Sequence, residues 1–229
     1  MGRKRIYYFT SDKYGYLSIK DRRLKLSFST EVNDLFELMP FDFGNHATGK
    51  KNRYAWRKAI VGHSIQQGFI SFSERWDVPT MWAHYANNHR GVCLGFDVPE
   101  EKATKIEYVT DLIGMDSRVL TDSEYNRRMT DIAKRTKSGH WEYEAEWRIW
   151  CDLTPGEAHR RKKKPPELCY LNFDGGPILR EVLFGYRSGL SSAGLKRHLE
   201  GSDNVEFTTV RPSFREFKMV PQRNTRYQK

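Results

Sequence analysis

The chain has 229 residues, of which 38% are hydrophobic and 14% aromatic, which is enough apolar material to build a folded core. Its 39 Lys and Arg residues outnumber its 29 Asp and Glu residues, and the formal charge of +10 favours polyanionic partners. The three cysteines exclude a disulfide framework or a zinc ribbon as the basis of the fold, because they are odd in number, widely spaced and without a CxxC pair.

No stretch of the sequence approaches the roughly 20 apolar residues that a membrane helix needs, and the basic N-terminus has no apolar segment behind it. We therefore expect a cytoplasmic protein with no membrane partner, in a reducing compartment that suits three unpaired thiols. No linker rich in Gly, Ser or Pro divides the middle of the chain, so a single domain over residues 1–229 is predicted.

The first third of the chain is predicted to mix short strands with two helices. Aromatic or alternating apolar residues indicate strands, and apolar residues three and four positions apart indicate helices. In chain order the predicted elements are a strand at 6–10, a turn-rich link at 11–20, a strand at 25–29, a capped helix at 31–39 stopped by Pro40, a loop at 41–50 and an amphipathic helix at 53–67.

The remaining elements are predicted by the same signals: strands at 69–73, 92–98, 105–109, 141–152, 168–173, 178–185 and 205–210, helices at 80–88, 123–137 and 191–199, and an exposed basic loop at 159–166. Strands and helices are interspersed without regular βαβ spacing. The predicted fold class is therefore α+β, one mixed domain with a central, largely antiparallel or split sheet flanked by helices.

The stretch WEYEAEWRIW at 141–150 is predicted as a strand with one apolar and one acidic face. On the acidic face, Glu144 and Glu146 would stand roughly 6 to 7 Å apart, at a rise of about 3.3 Å per residue. Carboxylates this close raise each other's pKa when they are partly buried, which suits a catalytic pair. The alternative is a solvated face on which the glutamates pair with Arg148 or with a lysine across the sheet.

The segment at 71–97 concentrates hydroxyls, rings and histidines in a short span. Ser71 and Ser73 would share one face of the strand at 69–73, with Phe72 on the core side. Their hydroxyls would then line a cleft beside the acidic strand. A Ser-x-Ser pattern is common, so this placement depends on the two strands lying close together.

The helix at 80–88 carries the rings of this segment. Trp82 and Tyr85 are predicted either to pack into the core, as rings on amphipathic helices commonly do, or to face a cleft. His84 is predicted to lie on a different face of the helix from Trp82 and Tyr85. His84 and His89 lie five residues apart and have no cysteine nearby, so no metal site is predicted.

The run HRRKKKPP at 159–166 holds five consecutive basic residues followed by two prolines. It is either a loop that contacts nucleic-acid phosphates or one that only improves solubility. The formal charge of the chain favours phosphate contact, without base reading, because no helix-turn-helix, zinc-finger or RNP pattern accompanies it. The candidate nucleic-acid contacts are Arg160, Arg161, Lys162, Lys163 and Lys164.

Several motifs together resemble an uncharacterised bacterial family, domain of unknown function 2971. The likeness runs along nearly the whole chain, and the MW-x-HY motif followed by HxG is its most specific part. Two positions differ from the family pattern, with Tyr8 where a lysine is usual and Leu35 where a proline is usual. The motifs that carry the likeness are YYF at 7–9, VNDLFE at 32–37, SFSE at 71–74, MWAHY at 81–85, HRG at 89–91 and WEYEAEWR at 141–148.

The order of these motifs is also similar to that of ADP-ribosyltransferase sites. The resemblance implies that NAD is a substrate, that Glu146 is the catalytic carboxylate and that Glu144 orients the acceptor. It further implies an NAD-binding wall formed by Tyr8, Ser73, Trp82, His84 and Tyr85. A fixed carboxylate near the developing positive charge of an oxocarbenium ion would accelerate such a reaction.

Two functions are therefore expected from the sequence. The first is an NAD-dependent ADP-ribosyltransferase-like enzyme that acts on nucleic acid or on a nucleic-acid-associated protein. The second is a non-enzymatic, basic nucleic-acid-binding or host-interaction protein in which the 71–97 segment is scaffold. A nuclease that uses the same carboxylates is a further alternative, but the sequence has no DxD or HxH pattern for a metal.

Overall fold

The computed structural model describes residues 2–44, 47–174, 176–199 and 204–229. The strands are β1 (Arg3–Thr10), β2 (Arg23–Lys25), β3 (Phe41–Asp42), β4 (Gln67–Ser73), β5 (Val92–Pro99), β6 (Thr104–Lys105), β7 (Glu107–Val109), β8 (Ile113–Gly114), β9 (Thr136–Ser138), β10 (Glu146–Asp152), β11 (Tyr170–Asn172), β12 (Ile178–Phe184), β13 (Glu206–Pro212) and β14 (Met219–Pro221). The helices are α1 (Asp12–Lys20), α2 (Ala47–Gln66), α3 (Pro79–Tyr85), α4 (Ser123–Arg135), α5 (Pro155–Arg161) and α6 (Ser192–Lys196).

Eight strands form one sheet in the order β14-β13-β12-β5-β1-β4-β10-β6. Strands β12 and β13 run parallel, and the other neighbouring strands of this sheet run antiparallel. The remaining strands form three two-stranded pairs at its margins, and helices flank it. The predicted α+β class with a largely antiparallel central sheet is confirmed.

Strand β5 is the centre of the apolar core. Its sequence VCLGFDVP is buried on both faces, as expected for a strand with β1 on one side and β12 on the other. Val92, Leu94 and Phe96 pack with Ile6 of β1 and Ile19 of α1 in the largest cluster of buried side chains. This half of the sheet is therefore a rigid support for the strands beyond it.

The sheet opens between β1 and β4. These two strands pair at one position only, Tyr7 with Ser73, whereas β1 and β5 pair along their full length. Because β1 and β4 are antiparallel, Phe9 and Ser71 face each other across the opening. Ser27 fills its far end by exchanging two backbone hydrogen bonds with Phe69. A cleft through the sheet results.

The predicted turn-rich link at 11–20 is wrong, because these residues form helix α1. Ser11 caps it, and its side chain accepts a hydrogen bond from the backbone of Tyr14. Gly15 disfavours a helix in isolation but allows α1 to lie directly on β5, since a Cβ there would stand 2.2 Å from the Cγ2 atom of Val92. A tertiary contact decided this element.

The predicted helix at 31–39 is also wrong, because the segment forms turns. The Oδ1 atom of Asp34 accepts a hydrogen bond from the backbone of Phe36 at 2.8 Å, which favours a turn over a helix. Leu38 has a φ of 56°, in the left-handed region. The segment consequently folds across the cleft between β1 and β4.

The predicted strand at 141–152 begins later than expected. Residues Gly139–Glu144 form 3₁₀ turns, Ala145 is left-handed with a φ of 43°, and β10 begins at Glu146. Glu144 and Glu146 therefore do not share a strand face. In the basic segment, α5 extends to Arg161, so only the residues after it form the predicted loop.

Replacing Gly15 with Ala should lower the free energy of unfolding by about 1 to 3 kcal/mol, because the new methyl group overlaps a fully buried valine. Gly62 in α2 is the matched control, since it is a helical glycine at which an added Cβ would have nothing within 4 Å. Gly62→Ala should stabilise by roughly 0.5 to 1 kcal/mol. Urea unfolding measures both, and equal stabilisation by the two substitutions would contradict the close docking of α1.

Candidate functional site

The cleft between β1 and β4 encloses a cavity of about 250 Å³. Its walls come from β1, the turns at 27–37, β4, α3, β9 and the start of β10. The residues that line it are Tyr7, Tyr8, Phe9, Ser27, Glu31, Val32, Asn33, Glu37, Phe69, Ser71, Phe72, Ser73, Met81, Tyr85, Lys137, Glu144, Glu146 and Arg148. Four of these are carboxylates and two are cations, so the cavity is acidic although the chain as a whole is basic.

Arg148 of β10 organises the buried charges of the cavity. It is 1% exposed, and its guanidinium donates two hydrogen bonds to Glu37, at 2.6 and 2.9 Å, and two to Glu146, at 2.7 and 3.0 Å. Its guanidinium carbon also lies 4.7 Å from the centre of the Phe69 ring. The planar guanidinium thus fixes the turn at 34–37 against the sheet in one geometry.

Lys137 of β9 holds the second half of the charge network. Its ammonium donates a hydrogen bond to Glu144 and another, at 3.2 Å, to Glu146, and it lies 4.8 Å from the centre of the Trp141 ring. The hydroxyl of Tyr85 donates to the other oxygen of Glu144. Both glutamates are thereby held at the cavity wall, although they belong to different secondary structures.

Glu146 is saturated with hydrogen bonds. Its carboxylate accepts two from Arg148, one from Lys137 and one from Ser71, which matches the number of lone-pair positions on a carboxylate. Burial opposes its charge, but the adjacent Arg148 and Lys137 outweigh that effect and lower the pKa of Glu146 to about 2. Glu146 is therefore ionised and fixed in place.

The pKa of Glu144 is shifted in the opposite direction to that of Glu146. Burial raises its pKa above the usual 4.5, Glu146 adds to the rise, and Lys137 opposes it. Burial and the charge of Glu144 also raise the pKa of Tyr85, so this hydroxyl stays protonated as a donor. Two neighbouring carboxyls with diverging pKa values suit a division into a fixed charge and a group that exchanges a proton.

The predicted site residues fall into two groups. Tyr8, Ser73 and Tyr85 line the cavity together with Glu144 and Glu146, although the roles assigned to them remain predictions. Burial raises the pKa of Tyr8, and the Ser73 hydroxyl accepts a hydrogen bond from the backbone of Arg75 at 3.0 Å.

Trp82 and His84 lie outside the cavity lining. Trp82 is fully buried beneath it, where its indole donates to the backbone oxygen of Trp76 at 2.6 Å and its ring packs edge-on against Phe9. His84 is exposed, and the centre of its ring lies 6.1 Å from that of Tyr85 and 6.2 Å from that of Tyr143. The core alternative considered for Trp82 is the one that the structure shows.

Sequence reasoning missed Glu37, Lys137 and Asn33 as cavity residues and considered Arg148 only as a surface partner. Glu37 and Asn33 belong to the VNDLFE motif of the family resemblance, and this motif could have identified them as candidate site residues. Lys137 is the last residue of a segment predicted as a polar helix, and nothing in the sequence distinguishes it from the exposed lysines nearby. Its burial follows from the pairing of β9 with β7.

The basic residues at 160–164 have two kinds of environment in the structure. Arg161 is buried, with its guanidinium 3.6 Å from the centre of the Phe28 ring and an ion pair to Glu31, and Arg160 pairs with Glu167 at 3.2 Å. The side chains of Lys162, Lys163 and Lys164 are exposed. These three, rather than all five, are available for a partner.

Within the described ranges no three His, Cys, Asp or Glu side chains are grouped so as to hold a metal ion. None of the described helices has the length and apolar character to cross a membrane.

Residues 81–149 match the model of a family described as protein of unknown function (DUF2971). The matched segment contains Tyr85, Lys137, Glu144, Glu146 and Arg148, so it supplies both cations and two of the four carboxylates of the cavity and supports the resemblance to this family there. Neither the curated proteins nor the solved structures contain a match to the chain. The comparisons give no support to the likeness with ADP-ribosyltransferases.

The low pKa of Glu146 predicts a specific acid sensitivity. A pKa that folding lowers from 4.5 to about 2 contributes stability that is complete above 4.5 and lost as the pH falls toward 2, about 3 kcal/mol for this group. Glu146→Gln should therefore destabilise the protein at pH 7 and lose less stability than the wild type between pH 4.5 and pH 2.5. Urea unfolding across this range measures the difference.

Glu142→Gln is the control, because Glu142 is an exposed neighbour on the same segment. Its stability should follow that of the wild type at every pH. If Glu146→Gln and the wild type gave parallel curves of stability against pH, Glu146 would not be the buried, ionised partner of Arg148.

Proposed function

We propose that the cavity is the active site of an NAD-dependent ADP-ribosyltransferase-like enzyme. The observation that carries this proposal is the excess of carboxylates over cations in a concave site of a strongly basic chain. Such a site favours a cationic group, and the nicotinamide ring of NAD bears a positive charge. Tyr8 and Tyr85 also line the cavity, and aromatic rings attract cations.

The volume of the cavity limits what enters it. About 250 Å³ is below the range of roughly 300 to 1,000 Å³ that is usual for sites enclosing a whole drug-sized ligand. The nicotinamide and its ribose would occupy the cavity, and the rest of NAD would extend through its mouth. The charged part of the substrate would then lie against the charged part of the wall.

In the proposed reaction the bond between the ribose C1′ and the nicotinamide nitrogen breaks, and its electron pair neutralises the ring. The positive charge that develops on the ribose is stabilised by the fixed carboxylate of Glu146 and by Glu144. A nucleophile of the acceptor then forms a bond to C1′ and gives its proton to Glu144, whose raised pKa suits it as a general base.

Glu144→Gln should reduce nicotinamide release from NAD by about 100-fold or more, because it removes a charge and the proton acceptor while keeping the shape of the side chain. Chromatography of NAD incubated with the protein and a mixture of DNA and RNA measures the release, and circular dichroism verifies folding. Glu142→Gln is the matched control and should retain wild-type activity. No nicotinamide release by the wild-type protein across varied acceptors would overturn the proposal.

The exposed lysines at 162–164 support nucleic acid as the partner that carries the acceptor, since clustered surface lysines attract phosphates. The three cysteines are unpaired, which fits the proposed cytoplasmic setting. The alternative function, a non-enzymatic nucleic-acid-binding or host-interaction protein, would use the same lysines without the cavity. Only the proposed enzyme would turn over NAD, so an assay of NAD turnover distinguishes the two functions.

Replacing Lys162, Lys163 and Lys164 together with Gln should flatten the dependence of DNA affinity on salt. If each lysine neutralises one phosphate, the slope of log K against log salt falls by up to about 2.7 for duplex DNA. Fluorescence anisotropy over a range of salt concentrations measures it. Replacing Lys50, Lys51 and Lys58 with Gln removes the same charge from exposed positions on α2 and should leave the slope closer to that of the wild type; equal slopes for the two variants would exclude a specific role for 162–164.

A further inference from the structure

A second cavity, of about 490 Å³, adjoins the first. Asn33 lines both cavities. Lys137 lines the first cavity, and the next residue, Ser138, lines the second. The two cavities are therefore neighbours that share Asn33 and the strand β9 in their walls.

Asp34 lines this second cavity and has one carboxylate oxygen without a partner among the described residues. The residue is only 8% exposed, and its Oδ1 atom accepts a hydrogen bond from the backbone of Phe36 at 2.8 Å. Its Oδ2 atom is buried and receives no hydrogen bond from the residues that the structure describes. A buried carboxylate oxygen without a donor is costly, so a bound group that donates to it is favoured.

The other walls of this cavity are largely apolar and accessible. Leu35 is 93% exposed, Phe36 57% and Leu112 51%, and Trp141 adds an indole ring. Exposed apolar side chains grouped around a concavity are typical of a ligand-binding site. The cavity therefore combines exposed apolar side chains with a buried carboxylate oxygen that lacks a hydrogen-bond donor among the described residues.

We propose that the second cavity binds an amino-substituted nucleobase, with its ring against the apolar walls and its amino group donating to the Oδ2 atom of Asp34. A base ring supplies both features at once, a flat apolar face and an N–H donor on its edge. Binding of the base stands on the geometry of this cavity, and the proposal rests on the proposed function only for the source of the base. That source is the adenine of NAD or a base of the nucleic-acid acceptor.

The first experiment compares adenosine with purine riboside, which lacks the amino group, by NMR titration of the wild type and of Asp34→Asn. The substitution keeps an oxygen for the backbone of Phe36 and replaces the acceptor with a donor. The wild type should bind adenosine about tenfold or more tightly than purine riboside, and Asp34→Asn should bind the two alike. Equal affinities in the wild type, or an unchanged preference in Asp34→Asn, would overturn the proposal.

Asp116→Asn is the matched control, because Asp116 also accepts a hydrogen bond from the backbone two residues on, from Arg118 at 2.9 Å, but is exposed and lines neither cavity. It should keep the wild-type preference. Leu35→Ser tests the apolar wall independently, and an exposed side chain tolerates this change without loss of folding. Leu35→Ser should weaken adenosine binding several-fold. Unchanged binding would contradict the contact between the base and the apolar wall, and this test remains valid even if Asp34→Asn fails to fold.

The second experiment identifies the source of the base. If the adenine of NAD occupies the cavity, Asp34→Asn weakens NAD binding but leaves nicotinamide mononucleotide, which has no adenine, unaffected. If an acceptor base occupies it, the same variant weakens binding of a single-stranded oligoadenylate and leaves NAD unaffected. An effect on neither ligand overturns the proposal.

These are equilibrium measurements without turnover. A wild-type protein that discriminates adenosine from purine riboside but releases no nicotinamide would therefore disprove the enzyme and leave the base site standing.

Discussion

The four hydrogen bonds from Arg148 to Glu37 and Glu146 are the interaction on which the site depends. They join the turns at 34–37 to β10 across a sheet that is open between β1 and β4. A guanidinium that is 1% exposed tolerates neither carboxylate moving away, because an unpaired buried charge is strongly destabilising. The opening therefore persists as a cavity of defined shape and is not filled by apolar side chains.

The same network gives the two glutamates different chemical characters. Glu146 is held by Arg148, Lys137 and Ser71 and keeps its charge, whereas Glu144 has a raised pKa and a tyrosine hydroxyl as its partner. A fixed negative charge beside a group able to exchange a proton is what a reaction through a cationic intermediate requires. The net positive charge of the chain does not indicate this acidic cavity, because the excess of Lys and Arg lies largely on the surface.

The periodicity of the sequence was sufficient for elements that bury a continuous apolar pattern. Strands β5 and β4 appear close to their predicted bounds because their own residues specify them. The long helix α2 ends one residue before its predicted end but begins at Ala47, inside the predicted loop at 41–50. Prediction failed where a distant contact decides the conformation. Helix α1 contains a glycine that matters only because β5 lies against it, and the acidic stretch before β10 turns at a left-handed Ala145 that no alternation pattern reveals.

The sequence by itself determined the mixed α+β class, because the spacing of apolar residues carries that information. It also singled out Tyr8, Ser73, Tyr85, Glu144 and Glu146, which line one cavity, although the two glutamates do not share the predicted strand face. Only the tertiary structure decided which charges are buried and how they pair. Lys137 and Arg161 look like surface residues in the sequence, yet both are buried against carboxylates from other segments. Burial and pairing depend on long-range packing, and that packing places the acidic cavity and the Asp34 cavity side by side.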